Sequence, residues 1–98
     1  MPEKSRSYKA GLLQRLKDDH EALTYLQVAL EDSREAFLLA LRNVAEARQF
    51  TAIARESELD RVNLYRMLSE NGNPTLASLE KILNVLGLRL SVEMKVAS

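Results

Sequence analysis

The sequence predicts a mainly α-helical chain closed by a single C-terminal β-strand. Three patterns carry that expectation. Apolar residues recur at three- and four-residue spacing through most of the chain. Residues 50–68 compress that spacing into two short helices around a tight turn. Residues 88–96 then switch to strict alternation, with Leu88, Leu90, Val92, Met94 and Val96 between Arg89, Ser91, Glu93 and Lys95.

The compressed stretch, FTAIARESELDRVNLYRML, has the spacing of a helix-turn-helix. Ile53 and Ala54 form the inner face of its first helix, and Ala54 is small enough for a second helix to cross closely. The turn falls at Glu58 and is followed by an apolar anchor, Leu59. Asp60 is a good N-cap, because its carboxylate can accept the free N–H groups that open the next helix. Leu64 and either Met67 or Leu68 then face inward, leaving Arg61, Val62, Asn63, Tyr65 and Arg66 outside. Arginines on such a face are placed to read guanine edges or hold phosphates. Base contacts are therefore expected from Arg61 and Arg66. Phosphate contacts are expected from Thr51, Arg55, Tyr65, Ser69 and Asn71, at helix ends and flanks. The turn position usually takes Gly, since it needs positive φ, and Glu58 there costs roughly 1 kcal/mol. The competing reading is an ordinary helical hairpin whose arginines are merely solvated.

Composition bounds the rest. Ninety-eight residues, 46 % of them apolar, allow one folded domain plus an arm. The absence of cysteine excludes a disulfide, a thiolate nucleophile and the usual zinc sites, and fits a reducing cytoplasm. No apolar run approaches the roughly 18 residues of a membrane span, and no signal-peptide pattern is present. Fourteen basic and fourteen acidic residues give zero net charge, unlike a protein that coats nucleic acid. The charge is unevenly spread, with five basic groups and one acid in residues 1–17, then six acids and one arginine in residues 18–35. An acidic helix would be repelled by phosphate, so this segment suggests a partner other than DNA.

Residues 1–7 read as a polar, frayed arm. Leu12, Leu13 and Leu16 mark a helix over residues 8–17. A second begins near Asp18 and Asp19, with an apolar stripe of Leu23, Leu26, Ala29 and Leu30 and with Tyr25 at its border. Asp32 or Ser33 can cap a third helix running to about Gln49, whose face carries Phe37, Leu41, Val44, Ala45 and Arg48, widened by Leu38 and Leu39. In SENGNPT, residues 69–75, Gly72 can adopt the left-handed conformation that stops a helix, and Pro74 cannot continue one. Thr75 caps a last helix that turns Leu76, Leu79, Ile82, Leu83 and Leu86 inward and ends at Gly87. The strand after it finds no second strand in the chain. Its backbone groups must therefore pair with another molecule, most simply the same strand of a second copy, through Leu88, Leu90, Val92 and Met94. The alternative is a frayed tail.

Residues 64–92, LYRMLSENGNPTLASLEKILNVLGLRLSV, resemble the HigA-like addiction-module antidote proteins, as do YLQVALED and FLLALRNVAEAR upstream. The resemblance spans about three quarters of the chain. It departs from the family at Gln49 and Glu58, where the family usually has Gly. It implies a five-helix phage-repressor-like (XRE/Cro-like) helix-turn-helix domain with an N-terminal helical extension and one C-terminal β-strand. The division expected is 1–33 for the extension and 34–98 for the DNA-binding and dimerisation part. It also implies an antitoxin of a type II module, a homodimer that represses its own operon, with Arg61, Val62, Asn63 and Arg66 at the base-contacting positions of the recognition helix, and that silences a small RelE/ParE-fold toxin. The toxin contact is assigned by charge to Asp18, Asp19, Glu21, Tyr25, Glu31 and Asp32, since the toxin's RNA-binding surface is expected to be basic. A stand-alone phage-type repressor without a toxin is the alternative.

No enzyme is expected. His20 stands alone among Asp18, Asp19 and Glu21, and sequence neighbours on a helix point to different faces. No catalytic residue, metal site or cofactor is implied, and the three scattered glycines form no phosphate loop.

Overall fold

A computed structural model describes residues 2–96, with side chains from residue 8 onward. Six helices follow in order: α1 (Pro2–Arg15), α2 (Asp19–Asp32), α3 (Arg34–Ala47), α4 (Phe50–Glu56), α5 (Arg61–Met67) and α6 (Leu76–Val85). Helix α3 is the strut. It packs against α1, α2 and α4, and α4 in turn holds α5 and α6. Leu41 and Ala45 are 0 % exposed and Val44 1 %, so α3 is enclosed on its apolar face. Leu12, Leu16, Ala22 and Leu26 from the first two helices join the same buried cluster as Ile53, Leu64, Leu68 and Ile82.

Four of the helices, α2, α3, α5 and α6, start at a polar residue whose side chain accepts from free N–H groups. The Asp18 carboxylate accepts from His20 N–H at 2.9 Å and Glu21 N–H at 3.0 Å. Ser33 is extended (φ −168°) and serves both neighbours, its N–H donating to the Ala29 carbonyl and its hydroxyl accepting from Ala36 N–H. Asp60 and Thr75 cap α5 and α6 in the same manner. Such caps contribute about 1 kcal/mol each. Gln49 before α4 makes no side-chain cap.

The helix ends explain the two departures from glycine. Gln49 (φ 72°) and Glu58 (φ 59°) are the non-glycine residues with positive φ among those described. At Glu58 the chain closes α4 with a paired hydrogen-bond motif. Leu59 N–H reaches back to the Ala54 carbonyl at 2.9 Å, and Glu58 N–H to that of Arg55 at 3.1 Å. The same motif ends α6 at Gly87 (φ 79°), through Leu88 N–H to Leu83 and Gly87 N–H to Asn84.

Several expectations are corrected. Six helices are present where five were expected in the main domain with an extension before it. The first helix covers residues 2–15 instead of 8–17, because nothing in residues 2–7 breaks a helix and Pro2 stands in the first turn, where its missing N–H is not needed. Helix α3 stops at Ala47, since the positive φ of Gln49 ends it before that residue. Among the described residues no strand forms. Leu88, Leu90, Val92 and Met94 lie on a segment without helix or ladder, because one chain offers that segment no partner. The α2 stripe is narrower than its sequence suggests: Leu26 is buried, but Leu23 and Leu30 are exposed, because α2 leans chiefly on α3. Leu76 is exposed as well. Gly72 is required for close approach and not for a left-handed turn, since a Cβ there would collide with the Met67 carbonyl.

These geometries fix the expected stability changes. Glu58→Gly should raise stability by about 0.5–1 kcal/mol, because it relieves a left-handed residue while loosening the unfolded chain. Gly87→Ala, where a Cβ meets nothing but φ is positive, should cost about 1 kcal/mol. Gly72→Ala should cost more than that, through the clash. Urea unfolding of the three variants ranks them, and a stabilising Gly72→Ala would contradict the geometry.

Candidate functional site

Helix α5 is presented by three devices. Asp60 caps it, its carboxylate accepting from Asn63 N–H at 3.2 Å. Leu64 and Leu68, both 0 % exposed, anchor its inner side. The turn before it is held by Ser57, a buried polar side chain whose hydroxyl donates to the Ile53 carbonyl at 2.6 Å. With its donor satisfied inside the fold, Ser57 closes the turn without an unpaired polar atom.

The outer side of α5 then divides into two groups. Val62, Asn63 and Arg66 are exposed, and Arg66 lies four residues from Val62 and three from Asn63, a spacing that makes it the neighbour of both on the outer side. Arg61 belongs elsewhere. Its guanidinium lies 5.7 Å from the centre of the Tyr65 ring, one turn along the helix. Arg42 of α3 approaches the same ring at 4.9 Å. Tyr65 is half-buried and stacks on Phe50 of α4, with centroids 4.0 Å apart and planes inclined by 21°. The ring therefore joins three helices and gives two arginines an aromatic face to rest on. Arg42 also meets Glu46 at 3.5 Å, and Glu46 meets Lys9 at 3.3 Å, which ties α1 to this corner.

The flanking residues are placed unevenly. Thr51 and Arg55 are exposed on α4, and Asn71 is exposed on the loop after α5. Ser69 is half-buried, and its hydroxyl donates to the Arg66 carbonyl at 2.8 Å. That loop is pinned to α3 by Arg34, whose guanidinium donates to Gly72 O at 3.2 Å and to the Asn73 side chain. Sequence reasoning missed Arg42, Arg34 and Phe50. The first two act on residues 23 and 38 or more positions away, and no local spacing announces that.

The acidic helix is divided by its own internal work. Asp18 is occupied as the α2 cap, and Asp19 pairs with Arg48 at 2.8 Å. Arg48 also donates to the Leu16 carbonyl at 3.3 Å, joining the end of α3 to the turn between α1 and α2. The Tyr25 hydroxyl accepts from the Asn43 amide at 2.9 Å. Glu21, Glu31 and Asp32 remain exposed and outside any ion pair among the described residues. Glu21, Val28 and Asp32 recur at seven and four residues along one exposed edge. No described helix is long and apolar enough to cross a membrane.

With this geometry in hand, the comparisons place the chain. A family described as probable addiction module antidote proteins matches residues 8–94, so the chain belongs to that family. It is also similar to an uncharacterized protein of Haemophilus influenzae, at 38 % identity over 79 residues that cover 80 % of this chain and 81 % of the other. No solved structure matches the chain. An antidote family implies a toxin as partner.

The aromatic corner is testable apart from any ligand. Tyr65→Leu should keep the fold, since Leu refills most of the buried volume, and should cost about 1–1.5 kcal/mol in urea unfolding through the lost stack. A double-mutant cycle between Arg61 and Tyr65 should give a coupling of about 0.5–1 kcal/mol. Zero coupling would detach Arg61 from the ring.

Proposed function

We propose that the chain is the antitoxin of a type II toxin-antitoxin module, which represses its own operon by binding DNA and silences a RelE/ParE-fold toxin. In this reading α4, the turn at Glu58 and α5 are a helix-turn-helix of the phage-repressor type, as in HigA-like proteins, and α5 enters the major groove. The observation that carries it is the capped, doubly anchored α5 with Val62, Asn63 and Arg66 exposed together. The Asn63 amide offers a donor and an acceptor to an adenine edge, the Arg66 guanidinium offers two donors to a guanine edge, and Val62 offers apolar contact to a thymine methyl. Arg61, held against Tyr65, is positioned at the edge of the same helix. Thr51, Arg55, Ser69 and Asn71 flank it and are proposed to meet phosphates. Tyr65 contributes through its hydroxyl while its ring holds the arginines.

Residues 34–98 would carry the DNA contact and residues 1–33 the toxin contact, although both share one core. The toxin surface is proposed along the free acidic edge of α2, Glu21, Glu31 and Asp32, with Val28 as its apolar contact. Asp18, Asp19 and Tyr25 would support that edge from their caps and pairs. The protein acts as a homodimer joined through its C-terminal segment. The two α5 helices then engage half-sites one helical turn apart, about 34–36 Å. Membership in an antidote family favours this reading over a stand-alone repressor.

Two outcomes are expected. Asn63→Ala and Arg66→Ala should each weaken binding to the operator by about 1–3 kcal/mol and relax preference at one base position, as fluorescence anisotropy with single-base variants would read. Arg55→Ala should weaken all sequences alike and lower the salt dependence. Unchanged affinity in a combined Arg61→Ala, Arg66→Ala protein would overturn the assignment. Reversing Glu21 and Asp32 to Lys should slow association with the toxin by surface plasmon resonance while leaving operator affinity intact. An unaltered on-rate would place the toxin contact elsewhere.

A further inference from the structure

The C-terminal segment carries more information than the presence of a dimer. After Gly87 the chain forms no helix, and its apolar residues leave the core: Leu90 is 41 % exposed, Val92 98 % and Met94 91 %. The segment has two sides. Toward α6 it borders Ala77, Glu80, Lys81 and Asn84, a mostly polar wall. Toward α2 it borders a groove of about 440 Å³ walled by Leu23, Leu30, Phe37 and Leu83. Leu23 and Leu30 are the apolar residues that α2 leaves outside the core, 38 % and 59 % exposed. One chain thus holds both an apolar strip without a cover and an apolar groove without an occupant.

We propose that the groove is filled by the same segment of a second copy, in an antiparallel pair whose twofold axis passes through Ser91. This rests on the homodimer reading above and specifies its register. In an antiparallel pair, opposite residues project to the same face, so only registers that set even residues against even ones keep apolar opposite apolar. Charge then selects among these. With the axis at Ser91, Arg89 lies opposite the partner's Glu93, and the pair occurs twice by symmetry. The same register sets Leu90 opposite the partner's Val92 and Leu88 opposite the partner's Met94, over residues 88–94. An axis at Val92 would set Arg89 against the partner's Lys95, and an axis at Glu93 would oppose two carboxylates. An axis at Leu90 makes no charge pair. An axis at Met94 recovers opposite charges, Glu93 against the partner's Lys95, but leaves Leu90 and the groove uncovered. The Ser91 register alone satisfies both charge and burial. The partner's Val92 and Met94 then cover Leu23 and Leu30.

The native chain has no cysteine, so single cysteines report the register directly. Opposed residues on paired strands lie within disulfide reach. Under mild oxidation, Ser91→Cys should cross-link to near completion, with Val92→Cys, Glu93→Cys and Met94→Cys each cross-linking several-fold less. Arg89→Glu should raise the dimer dissociation constant at least tenfold by sedimentation. The exchange Arg89→Glu with Glu93→Arg should restore it, and Leu30→Lys should weaken the dimer without altering the α-helical circular dichroism. A stable dimer in which Met94→Cys cross-links best, or in which the charge exchange fails to rescue, overturns the register while the homodimer stands. A monomer at micromolar concentration in the unaltered protein overturns the homodimer itself, and the register with it.

Discussion

Everything in this fold depends on one enclosed ridge, Leu41, Val44 and Ala45 of α3. These side chains are essentially without solvent contact, and helices from both ends of the chain close over the cluster they anchor. A 98-residue chain has room for only one such core. Its N-terminal helices therefore cannot be an appendage in the energetic sense, since Leu12, Leu16, Ala22 and Leu26 complete the same cluster. Arg48 reinforces the join from the surface, reaching the Leu16 carbonyl and the Asp19 carboxylate from the end of α3. Loss of either half would expose the ridge that the other half needs.

That single core has a functional consequence under the proposed reading. The face of α5 and the acidic edge of α2 are separate surfaces, yet both are oriented through α3. Helix α5 is steered by the Tyr65–Phe50 stack with Arg42 above it, and α2 by the Tyr25–Asn43 hydrogen bond and the Asp19–Arg48 pair. In each case α3 supplies at least one member. A small displacement of α3 would be felt at both surfaces, which gives a physical route for one partner to influence the other.

Much of this was legible in the residues, and the parts that were not share a cause. Asp18, Ser33, Asp60 and Thr75 announce their helices because capping is local chemistry. Positive φ at Glu58 is legible because the spacing demands a turn there, whereas the same angle at Gln49 follows from no local spacing. Leu64 follows from helical period, which leaves Met67 and Leu68 open; Leu68 is the one fully buried. What failed depended on distance in sequence or on a second molecule. The width of the α2 stripe was overread, because period alone cannot say how many neighbours a helix has. The Tyr65 ring was read as facing outward, when Phe50 holds it half inside, fifteen residues earlier in the chain. The C-terminal alternation is present in the sequence, but a strand is a property of a pair, and one chain does not contain it.

The most direct test of the functional account is chemical-shift mapping by NMR. The isotope-labelled chain would be titrated with duplex DNA from immediately upstream of its own coding sequence. Shifts should concentrate on α5 from Arg61 to Arg66 and on the loop through Asn71, while the amides around Glu21 and Asp32 on α2 stay in place. Shifts centred on α2, or a spectrum unchanged by any upstream duplex, would contradict it.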